Sequence, residues 1–197
     1  MVICPDTSPR GLNLPAEHDS YDFGSGAGFY VNAETAGYKD HYVMFDYIAL
    51  ELHDIILEKF LTSSNSPKIS IMGHSMGGHG ALILGLNFPE KYSAISAFSP
   101  IVNPVNCDWG KKAFTGYLGE DNQDIWKKYD ACELIKSGKK HGKKILIDQG
   151  TADDFLEKEL LTQNFSDICK EFKQPVQINF QEGFDHSYYF ISSFIDN

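Results

Sequence analysis

Gly73-His74-Ser75-Met76-Gly77 lies between an apolar run, Ile69 to Met72, and a stretch of small and aliphatic residues, Met76 to Leu84. The first reads as a short buried strand and the second as the start of a helix, so the glycine-rich core between them has to be a tight turn. In that context G-x-S-x-G is a nucleophile elbow, which holds its serine in a strained backbone and lifts the hydroxyl above the end of a sheet. Gly73 and Gly77 are expected to remove Cβ atoms that would strike the neighbouring strand and helix. The Met76 N–H, in the first helical turn, is expected to face negative charge that develops over Ser75.

Length and charge narrow the rest. A chain of 197 residues, 42% hydrophobic and 22% charged, is expected to form one domain over residues 1–197 with a single core. Its net charge of −10 disfavours nucleic acid or an anionic membrane as partner. Cys4, Cys107, Cys132 and Cys169 form no C-x-x-C pair, so free thiols in a reducing compartment are expected, and neither a metal nor a redox motif. No run of 18 apolar residues and no basic-then-apolar leader is present, which predicts a cytoplasmic protein.

Along the chain, Met1 to Cys4 reads as a strand, followed by turn-rich Pro5 to Gly11 and a long loop through Asp22 to Tyr30. The glycines of that loop lack the Lys-Ser/Thr that a phosphate loop needs. Apolar residues at Phe45, Ile48, Leu52, Ile55, Ile56 and Phe60 predict a helix from Asp40 to Thr62, with Asp40 as its N-cap. His41 and His53 on it have no partner at metal-binding spacing. Further strands are expected at Ser93 to Phe98, Lys144 to Asp148 and Val176 to Phe180. Helices are expected at Asp124 to Ser137, from Asp154 to about Phe172, and from Ser187 onward. Pro100 to Gly119 reads as irregular. Strands alternating with helices predict an α/β fold with a parallel sheet.

A serine hydroxyl needs a base, and the base needs an orienting acid. With an elbow of this type the chain order is Ser, acid, His, the last two on loops after later strands. His186 is the histidine placed just past a strand, and Asp153 follows the strand ending at Asp148, so both fall at the sheet edge that carries Ser75. Asp148, Asp154 and Asp185 compete with Asp153 for the acid's role. Trp109, Lys111 and Lys112 are candidate pocket residues.

With these residues assembled, the sequence resembles the S-formylglutathione hydrolase (esterase D) family of the α/β-hydrolase superfamily. The resemblance rests on Pro5 to Gly11, Asp22-Phe23-Gly24 with Gly26 to Val31, Gly73 to Ala81, Trp109 to Phe114, Ile147 to Gly150, and Glu182-Gly183 with Asp185 to Phe190. It implies Ser75 as nucleophile, His186 as base and Asp153, three residues after the glycine of Asp-Gln-Gly, as acid. It also implies hydrolysis of the small thioester S-formylglutathione to glutathione and formate, without a cofactor; a homodimer is the assembly considered.

In relatives a further segment precedes the residues that match Met1 to Cys4 and supplies the first strands and a second oxyanion donor. The resemblance therefore implies an α/β-hydrolase fold, mostly parallel with helices on both faces, that lacks those strands and is shortened at both ends. A strand is expected to be missing between Met1 to Cys4 and the strand before Ser75, leaving a gap of about 10 Å unless the two close up. Two alternatives stand beside the thioesterase reading: a broad carboxylesterase on the same scaffold, and a catalytically silent shortened paralogue.

Overall fold

The computed structural model describes residues 1–61 and 68–196. Four strands, β1 (Ile69–His74), β2 (Tyr92–Phe98), β3 (Ile145–Gly150) and β4 (Val176–Gln181), form one sheet in the order β1-β2-β3-β4, and every neighbouring pair is parallel. Each follows an expected apolar run, within one or two residues at its ends.

Helix α3 (Met76–Asn87) is buried continuously from Gly78 to Leu86. A helix apolar on all sides has to be enclosed on all sides. It packs on β1 and β2, and on α6 (Ala131–Lys136). Because side chains alternate along a strand, Ile95 and Phe98 of β2 point to opposite faces. Gly85 of α3 approaches Ile95 so closely that a Cβ at 85 would lie 2.2 Å from its Cδ1. Phe98 meets Phe190 of α8 (Tyr188–Phe194) at 6.1 Å between rings. Helices therefore cover both faces of β2. One hydrophobic cluster runs from Phe29 through α3 and the sheet to Cys169.

Several expectations are corrected. Met1 to Cys4 forms no strand, and Met1 and Val2 are about 80% exposed (79% and 81%). It does not close on β1, which pairs only with β2 among the described residues. The first long helix starts at α1 (Met44–Asp46) after Val43, so Asp40 caps nothing. It continues as a π-helical Tyr47–Leu52 and as α2 (His53–Phe60), and its expected last residue, Thr62, lies outside the described residues. The expected Asp124 to Ser137 helix breaks into α5 (Gln123–Trp126), a 3₁₀ turn at Lys127–Tyr129, and α6. The break falls at Asp130, whose extended backbone and side chain cap α6 by accepting from the Glu133 N–H at 2.9 Å. Pro100 to Gly119 contains α4 (Asp108–Leu118), and the stretch after Asp153 contains a π-helical turn, Leu156–Leu160, before α7 (Thr162–Phe172).

The long N-terminal loop is irregular yet anchored. The Tyr117 hydroxyl of α4 accepts from the Gly24 N–H and donates to the Ala27 carbonyl, both at 2.8 Å. Buried Glu17 accepts from the Tyr42 hydroxyl at 2.7 Å and the Leu14 N–H at 2.8 Å. Phe23 stacks on Tyr117 at 4.5 Å, which joins the loop to the wall of α4.

Candidate active site

Ser75 joins β1 to α3 with φ 55° and ψ −117°, a conformation that a residue bearing a Cβ rarely adopts. Hydrogen bonds hold it there: its N–H donates to the Phe98 carbonyl at 2.9 Å, and its carbonyl accepts from the His79 N–H at 3.0 Å and the Ile101 N–H at 3.3 Å. The glycine argument holds on one side only. A Cβ on Gly73 would lie 2.2 Å from the Gly77 carbonyl oxygen, whereas one on Gly77 would meet nothing nearer than the Tyr30 hydroxyl at 3.9 Å. The second tight approach belongs to Gly78, against Pro100 at 2.9 Å. Met76 opens α3, so its N–H has no carbonyl four residues back within the helix.

Asp153 follows the end of β3, and His186 follows the end of β4. The two loops are laced together by Thr151 N–H to Gln181 O at 3.0 Å, Ala152 N–H to Phe184 O at 2.9 Å, and Gly183 N–H to Thr151 Oγ1 at 2.9 Å. Asp153 Oδ2 and His186 Nδ1 lie 2.6 Å apart, with the carboxylate buried. The other three carboxylates are engaged elsewhere or apart. Asp148 accepts from Asn179 and Gln181 on the sheet, Asp185 accepts from the Ser187 N–H, and Asp154 is exposed.

Sequence reasoning missed the groups that hold Asp153. Its Oδ1 accepts from the Phe155 N–H at 3.0 Å, and Gln149 Nε2 reaches Oδ2 at 3.4 Å. Gln149, fully buried in β3, is itself fixed by the Thr162 hydroxyl at 2.8 Å and Ser99 Oγ at 3.3 Å. Burial alone would raise the Asp153 pKa. The hydrogen bonds from His186 and Phe155, the His186 charge and the Ser99 hydroxyl outweigh it and hold the carboxyl below its ordinary value.

Of the candidate pocket residues, Trp109 is drawn to the site through other rings. It packs on Phe155 at 4.7 Å, and Phe155 meets His186 edge-on at 5.1 Å. Its indole N–H donates to the Tyr21 hydroxyl at 3.1 Å. Lys112 is turned to the N-terminal loop, where its ammonium pairs with Asp22 and donates to Ser20. Lys111 is exposed on α4. Among the described residues there is no cluster of three or more His, Cys, Asp or Glu side chains suited to a metal, and no helix long and apolar enough to cross a membrane.

A strained serine at a strand-to-helix turn and a hydrogen-bonded carboxylate–imidazole pair, linked through the contact of the neighbouring His74 ring with His186 at 4.5 Å, are the parts that acyl transfer uses. Comparison with known proteins agrees with that chemistry. The Esterase family model matches residues 1–197. S-formylglutathione hydrolase of Bos taurus is 53% identical over 196 residues, which cover 99% of this chain and 68% of that protein. The Arabidopsis thaliana enzyme of the same name is 50% identical over 196 residues, again 68% of its length. The structure of an S-formylglutathione hydrolase from Agrobacterium tumefaciens superposes with a TM-score of 0.92 at 44% identity, covering 98% of this chain and 68% of that one. The chain thus spans about two thirds of the length of these relatives, and it belongs to the esterase family of α/β-hydrolases, within the S-formylglutathione hydrolases.

Proposed function

We propose that this chain hydrolyses S-formylglutathione to glutathione and formate, with Ser75 as nucleophile, His186 as general base and acid, and Asp153 as the group that orients His186. The observation that carries the reading is the pairing of the strained Ser75 backbone with the 2.6 Å Asp153–His186 hydrogen bond. His186 Nε2 takes the Ser75 proton as the oxygen attacks the thioester carbonyl, and Asp153 stabilises the imidazolium through Nδ1. The Met76 N–H donates to the tetrahedral oxyanion. The C–S bond then breaks, the imidazolium protonates the departing thiolate, and formyl-Ser75 remains. Water, deprotonated by His186, releases formate and returns the proton to Ser75.

Trp109 and Phe155 form an apolar wall beside the base for the leaving group. Lys111 offers an exposed cation to a glutathione carboxylate, and Lys112 does so only by leaving Asp22. The reading describes a single cytoplasmic domain, with no nucleic-acid or membrane partner and no cofactor, acting alone or as a homodimer. Four cysteines without a disulfide support a reducing compartment.

The test is S-formylglutathione turnover by the wild type and Ser75→Ala, each checked for a cooperative melt, with an aryl acetate run in parallel. Turnover that disappears in Ser75→Ala is the expected result. Equal turnover by both, or none from a folded wild type, would remove the proposal, and a strong preference for the aryl ester would shift it to a broad carboxylesterase.

A further inference from the structure

Asp153 fixes one nitrogen of His186, but a single hydrogen bond leaves an imidazole free to pivot about the line joining donor and acceptor. Packing against the ring has to stop that motion. The last residue of β1 provides it: the His74 and His186 ring centroids lie 4.5 Å apart at an interplanar angle of 41°. Phe155 meets the same imidazole at 5.1 Å and 79°. His74 also meets the exposed Tyr188 ring at 6.2 Å, and its Nε2 is buried without a hydrogen-bond partner among the described residues. A buried polar atom left unpaired costs free energy, so the ring's placement is not explained by bonding through that nitrogen.

We propose that His74 is a positioning residue for the base: its ring, with Phe155, blocks rotation of the His186 imidazole about the Asp153 hydrogen bond and keeps Nε2 directed at Ser75 during proton transfer. The inference rests on the triad reading above. It requires His74 to stay neutral, because a second cation 4.5 Å from the imidazolium would oppose its formation. Burial, then the His186 charge, push the His74 pKa down to about 4 against the opposing pull of Asp153. His74 is therefore an uncharged ring at neutral pH.

The experiment compares wild type, His74→Gln, His74→Phe and Ser75→Ala, with kcat and KM for S-formylglutathione measured separately. The low-field proton resonance of the His186 Nδ1–H···Asp153 hydrogen bond is followed in each. Glutamine keeps polar atoms but no ring, so His74→Gln should lower kcat about tenfold or more with KM within about twofold, and should broaden that resonance. His74→Phe restores a ring without nitrogens and should keep kcat within about threefold and the resonance sharp. Unchanged kcat and resonance in His74→Gln would overturn the proposal. So would a folded His74→Phe as impaired as the glutamine variant, since the nitrogens would then matter rather than the ring. If His74→Gln does not melt cooperatively, His74→Phe decides by the same criteria. Ser75→Ala separates the two layers: turnover retained there overturns the triad and this inference together. Turnover lost there, with His74→Gln unimpaired, overturns the inference alone.

Discussion

Burial should push the Asp153 carboxyl up, yet His186, the Phe155 N–H and the Ser99 hydroxyl together hold it below its ordinary value. A carboxylate depressed in the folded state contributes stability that is complete above the unfolded pKa of about 4 and is lost as pH falls through the lower folded value. In the working range it is therefore ionised and able to stabilise an imidazolium. Asp153→Asn keeps the shape but places an amide opposite His186 Nδ1, and kcat should fall about 10³- to 10⁴-fold with the fold intact by circular dichroism. Gln149 acts one step back, fixed by Thr162 while its amide nitrogen reaches Asp153. Gln149→Met leaves the buried Thr162 hydroxyl without its acceptor and should cost about 1–3 kcal/mol in urea unfolding, with a far smaller loss of kcat than Asp153→Asn.

The elbow's geometry is set by how closely α3 approaches its neighbours. A Cβ on Gly80 would lie 2.4 Å from Tyr30 Cδ2, against a buried ring whose own backbone sits at φ 50° and has little freedom to move. Gly80→Ala should therefore destabilise by about 1–3 kcal/mol. Gly77→Ala, with nothing nearer than 3.9 Å, should leave unfolding free energy unchanged or raise it by up to about 1 kcal/mol through helix propensity. Equal loss in both variants would refute this account of α3 packing. At this scale, the elements legible in the sequence were those whose burial is local. The four strands announce themselves as apolar runs between turn residues. Helix α4 was hidden although its buried stripe, Gly110, Ala113, Phe114, Tyr117 and Leu118, has helical spacing. Its head, Trp109-Gly110-Lys111-Lys112, reads as a loop, and its N-terminus is capped by a buried cysteine, whose Sγ accepts from the Gly110 N–H at 3.4 Å. Ser75, Asp153 and His186 were legible as candidates because motif and chain order constrain them. His74, Phe155, Gln149 and Ser99 were not, because no motif marks them: Phe155 and Gln149 reach Asp153 from close by in the chain, whereas the ring contacts of His74 and Phe155 with His186 and the bond between Gln149 and Ser99 join segments that only the folded sheet brings together.

For the whole molecule, three groups whose pKa is shifted by burial make stability depend on pH between about 5 and 6. His79, inside α3, donates its Nε2–H to the Phe29 carbonyl at 2.9 Å, and burial pushes its pKa down to about 4 despite that bond. His74 is lowered to about 4 by burial and the His186 charge. Asp130 is raised to about 6 by burial, against the N–H groups of Glu133 and Val105 and the Asn103 amide. Near pH 5 the unfolded chain binds a proton on each histidine that the folded chain does not, while folded Asp130 holds one that the unfolded chain has released. The unfolded state therefore binds a net one proton more, and stability should rise with pH at about 1.4 kcal/mol per unit across this window. The lowered carboxylates, Asp153 among them, titrate mostly below this window and add to the slope with the same sign at its acid end. Urea unfolding at pH 5.0, 5.5 and 6.0 measures it directly. Asp130→Asn removes the opposing proton and should steepen the slope to about 2.7 kcal/mol per unit, whereas His79→Gln should flatten it to near zero. A wild-type slope that is flat or negative, or one that Asp130→Asn leaves unchanged, would show that these groups do not titrate as their burial requires. His74 belongs to the same set, so its protonation as pH falls toward 4 should remove stability, and His74→Phe, which keeps a ring without a titrating nitrogen, should flatten the slope about as much as His79→Gln does.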